Sequence, residues 1–168
     1  MKKSPTYQIY MGSTGWAHAS WQGHFYPEDL PPEWQLMFYS NNYSCVYLPY
    51  AEWSPQDDAT LRGWANNVAE RFRFVLEANP QGMSAEDIRK AALLESSLGL
   101  VLDAHGVVAP SKLADGAVLW LEQNQDLKQL AQAMQASASG HVPTYILSRG
   151  HDVNALGKVK TLLDIMAL

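Results

Sequence analysis

Short apolar runs alternate with amphipathic stretches along the whole chain, and this alternation constrains the fold more than any other feature. Residues 7–11, 44–50, 72–78, 98–103, 117–121 and 145–147 are rich in leucine, β-branched and aromatic side chains, with Gly, Pro, Asn or Asp near their ends. Each reads as a short strand, with a helix start as the alternative at 117–121, where Trp120, Leu121 and Leu127 also fit helical spacing. Between them, residues 31–42, 54–71, 84–96, 126–137 and 152–166 carry apolar side chains at helical spacing, as in Leu127, Leu130, Ala131 and Met134. Residues 110–114 read as a single helical turn. About six βα units call for a mostly parallel sheet with right-handed crossovers, hence an α/β fold, either barrel-like or open and doubly wound.

Composition narrows the class. The 168 residues are 47% hydrophobic and 17% charged, which suits one soluble domain over residues 1–168 with a sizeable core. The net charge is −5 and the pI about 5.4, with twelve Lys and Arg scattered along the chain. Nucleic-acid partners are disfavoured, because non-specific binding to them draws on neutralising phosphates with basic groups. A lone cysteine, Cys45, lies in an apolar run and reads as a small buried hydrophobe, which predicts a reducing compartment. Lys2 and Lys3 precede no apolar leader, and no run reaches membrane-spanning length. These features predict a cytoplasmic protein without a membrane partner.

The densest motif follows the first strand: Gly12-Ser13-Thr14-Gly15-Trp16, then Trp21-Gln22-Gly23-His24-Phe25-Tyr26-Pro27. Two glycines permit a sharp turn, and successive N–H groups with the Ser13 and Thr14 hydroxyls can cup an anion. A dinucleotide fingerprint would need a third glycine and an immediate helix, and neither follows. The aromatics are expected to fold back over one end of the sheet.

This opening resembles the family called domain of unknown function 72, the YecE-like proteins, whose pattern reads G-T-S-G-W, then W-x-G-x-F-Y-P, then an L-P helix. Here Ser13 and Thr14 stand in swapped order, and Leu30-Pro31 marks the helix. Weaker likeness continues through Phe38-Tyr39, Trp64, Phe72-Arg73-Phe74-Val75 and the closing Asn154-Ala155-Leu156 with Leu162-Leu163. The resemblance implies a β/α barrel and a family without a settled activity. A complete eight-unit barrel usually takes about 250 residues. The expectation is therefore a reduced, TIM-barrel-like repeat of about six strands, the shortfall lying between the third strand and the last helix. Its open edges make a homo-oligomer an expected partner state.

Polar positions typical of the family's strand ends are replaced. Its V-E-I-N becomes Val46-Tyr47-Leu48-Pro49, its F-x-V-K-A becomes Phe74-Val75-Leu76-Glu77-Ala78, and its N-N-H becomes Ser148-Arg149-Gly150-His151. The expectation is a binding or structural protein without efficient catalysis. The alternative is a metal- or phosphate-dependent enzyme acting on a phosphoester or nucleic-acid substrate.

Parallel βα folds bind ligands at the carboxyl ends of their strands. That rule selects Ser13, Thr14, Trp16, Tyr47, Arg149 and His151 as candidates for a small anionic ligand, with Arg149 and the Ser13-Thr14 turn as a phosphate clamp. Glu77, Asp103 and His105 form a candidate set for a divalent metal, the one cofactor the pattern suggests. Tyr47, Tyr50 and Trp53 are candidates either for stacking on a ligand ring or for plugging the interior. His18 and His24 have no ligand-like spacing and are expected at the surface or against aromatics.

Overall fold

A computed structural model describes residues 9–107, 116–121, 126–138, 143–150 and 152–166. The strands are β1 (Ile9–Gly12), β2 (Cys45–Leu48), β3 (Arg73–Glu77), β4 (Leu98–Leu102), β5 (Ala117–Leu121) and β6 (Thr144–Ser148). The helices are α1 (Pro32–Asn42), α2 (Tyr50–Trp53), α3 (Asp58–Asn66), α4 (Ala85–Ala92), α5 (Leu127–Ala138) and α6 (Val153–Met166). The expected turn at 110–114 lies outside the described residues. Every ladder is parallel, in two sheets ordered β1-β6-β5 and β2-β3-β4. All six expected strands are present, and a helix follows each of them among the described residues except β4.

Capping explains the helix starts. The helix expected over 54–71 is shorter, running only as α3, which begins where the Asp57 carboxylate accepts the Thr60 N–H at 2.7 Å, and the one-turn α2 precedes it directly after β2. α4 opens with a reciprocal capping box between Ser84 and Asp87. Asp152 caps α6 as expected, accepting the N–H groups of Asn154 and Ala155.

The two sheets meet between β1 and β2, where the loop after β1 continues the pairing. Tyr47 N–H donates to the Ser13 carbonyl and Gly15 N–H to the Tyr47 carbonyl, both at 2.9 Å. One rung between them is replaced by a side chain. The Tyr39 hydroxyl, carried by α1, accepts the Ser13 N–H at 2.8 Å and donates to the Cys45 carbonyl at 2.8 Å. Gly12 makes this approach possible: a Cβ there would lie 1.7 Å from the Cys45 carbonyl oxygen. Strand order across the join is therefore β5-β6-β1-β2-β3-β4.

Alternate strand residues divide into two cores. One face gathers Tyr10, Cys45, Tyr47, Val75, Leu100, Leu102, Tyr145 and Leu147, with Val118 and Trp120 packed on it, so all six strands contribute. The other face carries Met11, Val46, Leu48, Phe74, Leu76 and Ile146 against the helices and the opening aromatics. Trp21 and Tyr26 are fully buried there, and Trp21 stacks on Tyr39 with ring centroids 6.0 Å apart. Packing is what most of these aromatics do.

Replacing Tyr39→Phe strands a buried donor and a buried acceptor while keeping the ring. The expected loss is about 2–4 kcal/mol of unfolding free energy in denaturant titration. A loss below about 0.5 kcal/mol would show that the join does not need the hydroxyl. Burial also raises the phenol pKa values of Tyr39, Tyr43, Tyr47 and Tyr145 above the ordinary value of 10.0. A raised folded-state pKa stabilises the fold below the unfolded value, and that contribution fades as pH climbs beyond it. Tyrosinate absorbance should therefore rise together with cooperative unfolding at strongly alkaline pH. Smooth ionisation of every tyrosine near its ordinary value in folded protein would contradict this.

Candidate functional site

The carboxyl ends of the strands share one rim, and the first two sequence candidates are already engaged within it. Ser13 is fully buried; its N–H meets Tyr39, and its hydroxyl donates to the Gly15 carbonyl at 2.7 Å. The Thr14 hydroxyl donates to the Ser148 carbonyl at 2.9 Å, tying the first loop to the end of β6. Both hydroxyls of the turn expected to clamp a phosphate with Arg149 thus donate to main-chain carbonyls of the protein.

Tyr47, Glu77, Trp120 and Arg149 do come together. Tyr47 projects from β2 onto the inner face and donates its hydroxyl to Glu77 Oε2 at 3.1 Å, while Glu77 Oε1 accepts the Tyr50 N–H at 3.1 Å. Burial first, and then the neighbouring carboxylate, push the Tyr47 phenol above its ordinary value, with Arg149 pulling it the other way. Trp120, from β5, meets Tyr47 edge to face at 5.1 Å and donates its indole N–H to the Gly106 carbonyl at 2.7 Å. The Arg149 guanidinium lies over that indole, 4.1 Å from the ring centroid.

Asp103 turns back on its own loop. Its Oδ1 accepts the N–H of His105 at 2.8 Å and of Val107 at 3.1 Å, and these donors hold its carboxyl below the ordinary carboxylate value. His105 is exposed. Glu77, Asp103 and His105 do not form a metal set, and among the described residues no three Asp, Glu, His or Cys side chains do. The spacing was right for one rim, but the Asp103 loop closes on itself. His151 lies outside the described residues.

The aromatic trio separates. Tyr47 enters the inner core, Trp53 is fully buried with its indole N–H on the Glu77 carbonyl, and the Tyr50 hydroxyl donates to Asp87 at 2.8 Å. Trp16 lies away from Arg149, in a cleft of about 350 Å³ lined also by Gly15, His18, Leu48, Glu52, Gln56 and Trp64. His18 packs edge-on against Trp21 at 4.5 Å, as expected of an aromatic-packed histidine. Sequence reasoning missed Trp120 as a platform, although its two-residue spacing from Val118 places both on the inner face. Glu52 and Trp64 gave no signal as neighbours, since they meet only through the fold.

Among the described residues, no helix is long and apolar enough to cross a membrane. No curated protein matches the chain. Two solved structures are similar in fold. A DUF72 family protein from Thermotoga maritima MSB8 aligns with a TM-score of 0.62 at 14% identity, covering 94% of this chain and 100% of that one. A DUF72 family protein from Enterococcus faecalis V583 aligns with a TM-score of 0.63 at 10% identity, covering 98% and 100%. At these identities the likeness concerns the fold. The family model described as "Protein of unknown function DUF72" matches residues 10–146, most of the chain, and the protein belongs to that family.

Proposed function

We propose that this chain is a binding protein on a reduced six-stranded β/α barrel, taking a small anionic ligand at the rim between Tyr47 and Arg149. The barrel reading is supported by the shared inner cluster to which all six strands contribute, and by the contact of Tyr47 with Trp120 between β2 and β5. Leu100 of β4 also backs directly onto Gly116 before β5, where a Cβ would lie 3.0 Å from its side chain.

The carrying observation is a charge imbalance at the rim. Both Glu77 oxygens and one Asp103 oxygen already accept hydrogen bonds, whereas Arg149 has no carboxylate partner among the described residues and lies over Trp120. The cation is the group left to meet a ligand. A guanidinium over an indole presents a planar fork suited to phosphate or carboxylate, while the Tyr47 hydroxyl, donated to Glu77, braces the neighbouring carboxylate. Binding without efficient chemistry follows from how the other rim groups are used, since Ser13, Thr14 and Glu77 are engaged in holding strands.

Inorganic phosphate is the simplest probe. It should quench tryptophan emission saturably, and Arg149→Ala should weaken that binding by about tenfold to a hundredfold, the loss of one charge-assisted contact. Equal affinity in the variant, with the fold intact by circular dichroism, would sink this reading.

A further inference from the structure

A second pocket, whose lining does not include Arg149, lies beside the loop after β1 and the end of β2. The cleft of about 350 Å³ is bounded by Trp16 and Trp64, with Leu48 and Ala51 as apolar lining and Glu52 among its few polar groups. The two indoles meet at 89° with centroids 5.0 Å apart, and Trp64 lies nearly parallel to Phe74 behind it. Gly15 is part of this lining. A Cβ there would sit 3.6 Å from His18 Nε2 and 3.8 Å from Glu52 Oε2, so the carboxylate lies directly beside bare backbone. Gly15 holds φ +72°, a conformation that keeps the position to glycine and so keeps the space clear.

The polar groups decide what can enter. Glu52 is exposed and has no ion-pair partner among the described residues. Lys90, the base tied to this segment, spends its ammonium on the carbonyls of Ser54 and Gln56. The Gln56 amide donates to the Glu52 main-chain carbonyl, and His18 Nε2 is hydrogen-bonded to the Thr14 carbonyl at 2.7 Å. What remains is one carboxylate without an ion-pair partner among the described residues, beside two indoles.

We propose that the cleft between Trp16, Trp64 and Glu52 binds a small quaternary ammonium cation, its methyl groups on the indoles and its charge facing the Glu52 carboxylate. Aromatic rings attract a cation through their negative faces, and a carboxylate alongside supplies the counter-charge. A primary ammonium carries three N–H donors that need acceptors all round the nitrogen, whereas a fully methylated nitrogen needs none and can turn its methyl groups to the rings. The volume is at the lower end for ligand sites, which fits a compact headgroup. The site is independent of Arg149 and of the anion that Arg149 would hold.

Choline and its uncharged isostere 3,3-dimethylbutan-1-ol separate charge from shape. Titration of the full chain, followed by tryptophan emission and by calorimetry, should show saturable choline binding and weaker binding of the alcohol. Glu52→Gln, a surface change, should weaken choline by roughly tenfold and leave the alcohol unchanged, since only the former loses its counter-charge. Equal affinity for choline and the alcohol would overturn the proposal in favour of a plain apolar pocket. Absence of choline binding at millimolar concentration, or binding unaltered in Glu52→Gln, would overturn it outright.

Discussion

The fold depends on a phenol hydroxyl inserted between two strands. Tyr39 takes the place of one backbone rung, meeting the Ser13 N–H and the Cys45 carbonyl, and so joins the two hydrogen-bonded sheets while anchoring α1 to both. Buried backbone groups must find partners, and a hydroxyl can act as donor and acceptor at once. Gly12 is the steric counterpart, since no side chain fits where β1 passes the Cys45 carbonyl. The glycine-serine turn is therefore first a structural joint, and its donors are lost to any ligand.

That joint shapes the rim. With Ser13 and Thr14 committed, polar function at the strand ends passes to the later strands: Glu77 on β3, Trp120 on β5 and Arg149 after β6. Glu77 braces Tyr47 and the start of α2, while its main-chain carbonyl receives the Trp53 indole. One strand end thereby orders three aromatics. The Arg149 guanidinium, over Trp120, has no carboxylate partner among the described residues, and Arg149 is exposed.

The strand and helix sequence was legible because period-two and period-3.6 patterns report burial directly, and all six expected strands appear within a few residues of their expected bounds. The Asp152 and Ser84 caps were equally readable, as their partners lie three or fewer residues away. Long-range roles were not. Tyr39 looks like one more apolar helix residue, and nothing local marks its hydroxyl for a strand join. Glu77, Asp103 and His105 fall at the right end of their strands, but whether side chains converge depends on loop closure. In the Asp103 loop, N–H donors of the next few residues outcompete any distant partner. The later start of α3 was missed because the apolar spacing at Leu61, Trp64 and Ala65 outweighed the Asp57 cap signal.

The strand order carries a consequence for how the chain is made. β1 lies centrally, between β6 and β2, yet its β6 neighbour is among the last strands synthesised; the Thr14 bond to Ser148 spans 134 positions. The β2-β3-β4 sheet can assemble as it emerges, using neighbours in sequence. β1, with Tyr10 and Met11, must meanwhile keep an apolar edge without its final partner until residues 144–148 leave the ribosome. Closure of so long a loop is entropically slow, and an unpaired central edge invites wrong pairing. β1 thus waits for β6, and the interval between them is a period of exposure to aggregation during translation.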